Sequence, residues 1–125
     1  MSAAAGKRQT GAFGEDAVCA YLEQHGAEIL CRNYTVRGGE IDIIAQQGDF
    51  LLFVEVKTRR TGSLVSGAAA VDAKKQRFLV RTAEQYLLQY PSPLQPRFDV
   101  AEVEYSGRFV RHITYLESAF DATGF

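Results

Sequence analysis

The stretch Gly39–Arg60, GEIDIIAQQGDFLLFVEVKTRR, limits the fold of this chain more than any other. Two runs rich in Ile, Val, Leu and Phe, Ile41–Ala45 and Phe50–Val56, flank Gly48-Asp49, a two-residue turn signal, so the segment reads as a β-hairpin. With Gln47 paired to Phe50, counting outward sets Ile44 against Phe53, Asp42 against Glu55 and Glu40 against Lys57. Side chains alternate across a strand, so Ile41, Ile43 and Ala45 with Leu52, Val54 and Val56 are expected to form one apolar face, suited to a core. The ionisable groups are expected on the other face.

Facing residues of an antiparallel pair have Cβ atoms roughly 4.5–5.5 Å apart, so Asp42 and Glu55 could grip one cation and would otherwise repel. A Glu-x-Lys pair in a strand is more commonly a weak surface ion pair. Here the same face carries Phe53 and Ile44 at its turn end, and a partly covered acid cluster is more often a site than ordinary surface.

At 125 residues, 46% hydrophobic and 23% charged, the composition is that of one folded domain, 1–125, with residues 1–9 expected to be flexible. No run approaches the roughly 18 apolar residues of a membrane span, and Met1–Thr10 has no apolar core of a secretion signal. Cys19 and Cys31 give no disulfide framework or metal-ligand spacing, and with His25 and His112 they are left without a functional role. Reduced packing thiols suit a cytoplasmic protein, and without an apolar span no membrane partner is expected.

The net charge of −1 is unevenly spread. Between Lys57 and Arg81 lie seven basic residues (Lys57, Arg59, Arg60, Lys74, Lys75, Arg77, Arg81) and one acid, Asp72, a balance of 7 − 1 = +6, which leaves −1 − 6 = −7 for the rest. A basic segment beside an acid cluster suits a metal-dependent enzyme working on a phosphate backbone, although a helix whose cations face water would read the same.

In chain order, Thr10–His25 reads as a helix stopped by Gly26, with Glu15, Val18, Cys19 and Leu22 on one stripe. Glu15 thus either reaches the acid cluster or simply favours the positive helix N-terminus. Ala27–Thr35 is an expected strand, and Thr61–Gly67 a Gly and Ser loop that either closes over a ligand or connects. A second helix starts at Ala68 or Asp72 and runs to Tyr90 before Pro91, with an inner stripe of Gln76, Leu79, Val80, Ala83, Leu87 and Tyr90. Arg97–Tyr105 and Arg108–Leu116 form a second hairpin across Ser106-Gly107, and Phe120 is expected to dock.

The order α-β-β-β-α-β-β with Asp42 and Glu55-Val56-Lys57 resembles the PD-(D/E)xK nuclease superfamily, and more closely the bacterial YraN family, similar to archaeal Holliday-junction resolvases. The matching residues are Gly14-Glu15, Asn33-Tyr34, Gly39-Glu40-Ile41-Asp42, Phe53 to Lys57, Lys75-Gln76, Ala83 and Arg97-Phe98-Asp99-Val100. Ile41 stands where the superfamily's name-giving proline would be. The resemblance implies a restriction-endonuclease-like α/β fold: three layers, with a central mixed sheet of about five strands flanked by helices.

It also implies DNA phosphodiester hydrolysis, selective for branched or otherwise non-duplex DNA. Asp42, Glu55 and the Val56 carbonyl would hold Mg²⁺ or Mn²⁺, and Lys57 would orient water or stabilise phosphoryl charge. Glu15 would act through water, Lys75 and Gln76 would meet the phosphate or the attacking water, and Lys74, Arg59, Arg60, Arg77 and Arg81 would position the DNA backbone. Paired incision of a junction would make the enzyme a homodimer. Nucleic-acid binding without cleavage, and an interaction module on the same scaffold, are the alternatives.

Overall fold

The computed structural model describes residues 3–62 and 71–122, and side chains from Ala12 onward within them. The elements run α1 (Ala3–Gln24), β1 (Glu28–Val36), β2 (Gly39–Gln47), β3 (Phe50–Arg60), α2 (Ala73–Gln89), β4 (Gln95–Ser106) and β5 (Phe109–Phe120). The five strands form one sheet in sequence order, antiparallel except for the parallel pair β3 and β4, which α2 connects. That crossover must leave the sheet and return, and α2 does so across one face while α1 covers the other. The result is the three-layer α/β architecture with a mixed sheet that the sequence implies.

Helix α1 starts earlier than expected and ends as expected. Gly26 takes φ 85, the left-handed conformation that suits glycine, while Ala27 N–H donates to Leu22 O at 2.9 Å and Gly26 N–H to Glu23 O at 3.1 Å. This pair of bonds satisfies the last helical carbonyls and turns the chain into β1. Helix α2 begins where Asp72 caps it, its carboxylate accepting from Lys75 N–H at 2.8 Å. The alternative start at Ala68, and most of the Thr61–Gly67 loop, lie outside the described residues.

Two cores follow from the two faces. Under α1, Val18, Cys19 and Leu22 pack on Ile43, Ala45, Leu52, Val54, Ala101 and Val103. Under α2, Leu79, Val80, Ala83 and Tyr86 pack on Ile41, Ile44, Phe53, Phe98 and Val100, with Phe120 docked alongside and stacked on Phe98. The inner stripe of α2 therefore uses Tyr86, which meets Phe53 edge-on, while Tyr90 is 55% exposed beyond the helix end. Burial pushes the Tyr86 phenol upward from its ordinary value.

The hairpin keeps the expected register from Gln47↔Phe50 to Ile43↔Val54, and there the ladder between β2 and β3 stops. Ile41 lies with Ile44 under α2, not with Ile43 under α1 as strict alternation would require. Strand β1 breaks step at the same level: Cys31 and Tyr34, three apart, both pack on the α2 side, and Asn33 between them takes φ 55. A matched break in two neighbouring strands re-aims the residue at its centre, and on β2 that residue is Asp42.

Gly39 explains how α2 reaches the start of β2. A Cβ there would lie 1.9 Å from Thr82 Oγ1, so only glycine lets the hairpin back onto the helix.

Candidate active site

Asp42 and Glu55 come together as the parting strands allow, though not as paired rungs of a ladder. Where the ladder ends, the Asp42 carboxylate turns into the gap and accepts the Val56 backbone N–H at 2.8 Å, replacing a strand-to-strand bond. Glu55, 9% exposed, is close enough to Asp42 for the two carboxyls to interact electrostatically. The expected direct pairings of Asp42 with Glu55 and of Glu40 with Lys57 are thus corrected: a side chain takes the backbone donor, and the carboxylates converge across the opening.

The pair is held at an electrostatic cost. Burial first, then the Glu55 charge, and to a smaller extent Glu15 and Glu40, push Asp42 from 3.8 up to about 7, against the opposing Val56 N–H bond. Burial also raises Glu55, while Lys75 and then Lys57 pull it back down. The Lys75 ammonium lies 3.6 Å from Glu55 Oε1. Two crowded acids that would gain from losing a proton to a cation form an arrangement that a divalent ion satisfies.

Helix α1 brings Glu15 to the same region because Gly14 permits it: a Cβ at Gly14 would lie 2.5 Å from Thr58 Cγ2 on β3. Glu15 contributes to the field at Asp42 and is itself held 3.5 Å from Arg32, whose other arm is 2.8 Å from Asp16. Arg32 was not singled out by sequence, since its position in β1 carries no sign of the helix that crosses it. Gln76 is half-buried in the first turns of α2, its side-chain amide donating to Val71 O at 2.9 Å.

The basic segment is less uniform than its sequence suggests. Parallel pairing sets Lys57 beside Glu102 and Arg59 beside Glu104, so two acids from β4 interleave with the cations of β3. Arg59 is largely buried, its Nε 3.6 Å from Glu102 Oε1. Arg60 ends β3 exposed, and by alternation points to the opposite face from Arg59. Lys74, Arg77 and Arg81 are exposed on α2. The accessible positive surface therefore follows α2 more than β3.

Sequence reasoning also passed over what Arg97 and Asp99 do together. Asp99, 1% exposed, accepts from Arg97 Nε at 3.0 Å and a terminal guanidinium nitrogen at 2.9 Å, from Tyr115 O–H at 2.6 Å and from Ser118 N–H at 2.9 Å. Burial and the neighbouring Asp99 charge raise the Tyr115 phenol, and the Asp99 hydrogen bond raises Arg97. Every carboxylate oxygen is satisfied, so this is a structural clamp that fixes β5 where its register to β4 shifts.

The donors at Asp42 and Glu55, with water, fit a small hard cation that keeps several waters of its own. Among the described residues, no three of His, Cys, Asp and Glu form a metal-holding group, so the candidate side-chain donors here are two carboxylates rather than a closed cage. No described helix is long and apolar enough to cross a membrane.

A model of the uncharacterised protein family UPF0102 matches residues 14–103. The chain belongs to this family, which is the YraN family of the sequence resemblance. It is 42% identical over 123 residues to a UPF0102 protein of Methylibium petroleiphilum, covering 93% of this chain and 97% of that one. It is 44% identical to one from a Synechococcus strain, covering 91% of each. A Symbiobacterium thermophilum UPF0102 protein is 49% identical over 98 residues, 78% of this chain and 83% of that one. The UPF0102 match begins at Gly14 and ends at Val103, so it contains Glu15, the Asp42–Glu55 opening, Lys75 and the Arg97–Asp99 pair.

Proposed function

We propose that this UPF0102 protein is a metal-dependent DNA endonuclease that hydrolyses phosphodiester bonds in branched or otherwise non-duplex DNA. The observation that carries the reading is the opening between β2 and β3, where Asp42 and Glu55 converge at the cost of a raised Asp42 pKa with Lys57 two residues beyond Glu55 on the same strand face. A purely structural role would not need the Asp42 carboxyl crowded against Glu55, whose own charge Lys75 offsets, when an amide would fill the same space without repulsion.

Asp42 and Glu55 would hold Mg²⁺ or Mn²⁺, with the Val56 carbonyl beside them. When bound, such an ion polarises a phosphoryl oxygen and acidifies a coordinated water. Asp42 keeps one oxygen engaged with Val56 N–H, which leaves the other for the ion. Lys57, on the Glu55 face, stabilises negative charge that develops on the phosphoryl oxygens. Lys75 neutralises Glu55 until the anionic substrate arrives, and its ammonium is then free to meet a phosphate. Glu15 orders water at the helix side of the site, Gln76 positions the loop backbone before α2, and Lys74, Arg60, Arg77 and Arg81 bind the DNA backbone, with Arg59 restrained by Glu102. The protein would work in the cytoplasm, as a homodimer where paired incision is needed.

The test is cleavage of end-labelled four-way junction, flap and blunt duplex DNA in Mg²⁺ or Mn²⁺. The wild type is expected to cut, and Asp42→Ala, Glu55→Ala and Lys57→Ala each to lose at least a hundredfold in rate, in line with removal of a group that stabilises developing charge. Tight DNA binding with no cleavage by any of the four proteins would favour the non-catalytic binding reading. Cleavage that survives all three substitutions would remove the site.

A further inference from the structure

A second feature lies beside the carboxylate pair, on the α2 side of the β1–β2 turn. Val36, Arg37, Phe78, Arg81, Thr82 and Gln85 line an open cleft of about 280 Å³ between that turn and α2. The close packing of Gly39 on Thr82 sets its floor, and Thr82 Oγ–H, donating to Phe78 O at 2.7 Å, keeps this turn of the helix in place. Arg37 and Arg81 enter from opposite walls, and neither is engaged by a carboxylate among the described residues. Phe78, three residues before Arg81 on the helix wall, is 38% exposed, whereas its neighbours Leu79 and Val80 are buried.

Two guanidinium groups and a part-exposed aromatic ring in one lining, with no acid among the lining residues, match the chemistry of a single-stranded nucleotide: a π-face for stacking and cations for its phosphates. The volume is at or below the low end of small-ligand pockets and too small for a base pair, so the base it accepts must be unpaired. The location fits as well. Gly39 and Asp42 are three residues apart on β2, roughly 10 Å at about 3.3 Å per residue. A stacked strand advances about 3.4 Å per nucleotide, so a base held here would lie roughly three nucleotides from the phosphate at Asp42.

We infer that the cleft between the β1–β2 turn and α2 is a subsite for an unpaired nucleotide, its base stacked on Phe78 and its flanking phosphates paired with Arg37 and Arg81. Building on the nuclease reading, this assigns the substrate class: DNA in which a single-stranded arm begins within a few nucleotides of the scissile bond. A blunt duplex leaves the subsite empty and is a poor substrate.

The test measures binding apart from chemistry, by fluorescence anisotropy of labelled splayed-arm DNA and blunt duplex in EDTA, for the wild type, Phe78→Leu, Phe78→Tyr and the Arg37→Ala/Arg81→Ala double variant. Wild type is expected to prefer the splayed arm about 5- to 150-fold, the range one base stacked on an aromatic provides. Phe78→Leu should abolish that preference while leaving duplex affinity unchanged, and Phe78→Tyr, which keeps an aromatic face, should retain it. The double variant should lower the salt dependence on splayed-arm DNA by about 1.4 in log–log slope, two phosphates at about 0.7 each.

Equal binding of splayed-arm DNA by wild type and Phe78→Leu, or the same loss on duplex as on splayed arm, overturns the inference. Cleavage assays on the same DNAs separate it from the nuclease reading. A wild type that cuts duplex and splayed arm alike, with Phe78→Leu unchanged, removes the subsite and leaves the carboxylate pair standing. A wild type that selects the splayed arm through Phe78 but never cuts supports the subsite and removes the nuclease.

Discussion

Replacing Asp42 with Asn should change stability little at pH 5 and raise it at pH 8. In the native protein the Asp42 carboxyl is raised from 3.8 to about 7, so the folded state holds this proton more tightly than the unfolded chain. The stability that this provides is complete below the unfolded value near 4 and is lost as pH rises through about 7. At roughly 1.4 kcal/mol per pH unit, the ionised carboxylate at pH 8 costs the metal-free fold up to about 4 kcal/mol. Asn keeps the shape and an oxygen for the Val56 N–H, but it buries an amide with unpaired N–H groups, at about 1–2 kcal/mol. The net expectation at pH 8 is an Asp42→Asn protein more stable than wild type by about 2 kcal/mol. At pH 5 the folded carboxyl is protonated but the unfolded one is already ionised, so roughly 1.6 kcal/mol of that stability has gone, which about offsets the amide cost and should leave the two proteins nearly equal. Urea unfolding in EDTA at both pH values reads the two differences. Mn²⁺ at about one hundred times its Kd should then add about 2.7 kcal/mol to wild type and nothing to the variant. A variant less stable than wild type at pH 8, or a difference that does not move with pH, would refute the claim that Asp42 is held ionised against its preference.

Three further outcomes follow from the same geometry. Mn²⁺ affinity, measured by calorimetry, should rise about tenfold per pH unit between pH 5 and 6.5 and level off above pH 7, since binding must displace the proton that Asp42 and Glu55 hold. Gly39→Ala should lower stability by about 1–3 kcal/mol, and adding Thr82→Ala should recover most of it, because the clash is with the Thr82 hydroxyl; equal destabilisation with and without Thr82→Ala would argue against that contact. Asp99→Ala should cost about 3–5 kcal/mol by urea unfolding, since it strands the Arg97 guanidinium, whose side chain is 11% exposed, whereas Glu117→Ala, at an exposed partner of the same arginine, should change stability by less than about 1 kcal/mol.

The parts of this molecule that local sequence determines were legible in advance. Gly26 as a helix stop, Gly48-Asp49 as a turn, and the register from Gln47↔Phe50 to Ile44↔Phe53 all follow from backbone preferences and hydrophobic period within a few residues. The acid pair was legible for the same reason, because one hairpin carries both acids. The break at Asp42 was not: alternation gives no warning that a side chain will take the Val56 N–H and end the ladder, so Ile41 was assigned to the wrong layer. Long-range pairing was hidden as well. The basic run from Lys57 looks uninterrupted along the chain, and only the parallel neighbour β4 reveals that Glu102 and Glu104 stand beside Lys57 and Arg59. The Asp99 clamp and the Arg37–Phe78–Arg81 cleft likewise exist only once separate elements meet.

Soaking crystals of the protein in Mn²⁺ at pH 8 and recording anomalous diffraction tests the central claim most directly. The account predicts one strong peak in the opening between β2 and β3, roughly 2.0–2.4 Å from an oxygen of Asp42 and an oxygen of Glu55, and its loss in Glu55→Gln crystals. Manganese bound elsewhere, with those two carboxylates left bare and sharing a proton, would contradict it.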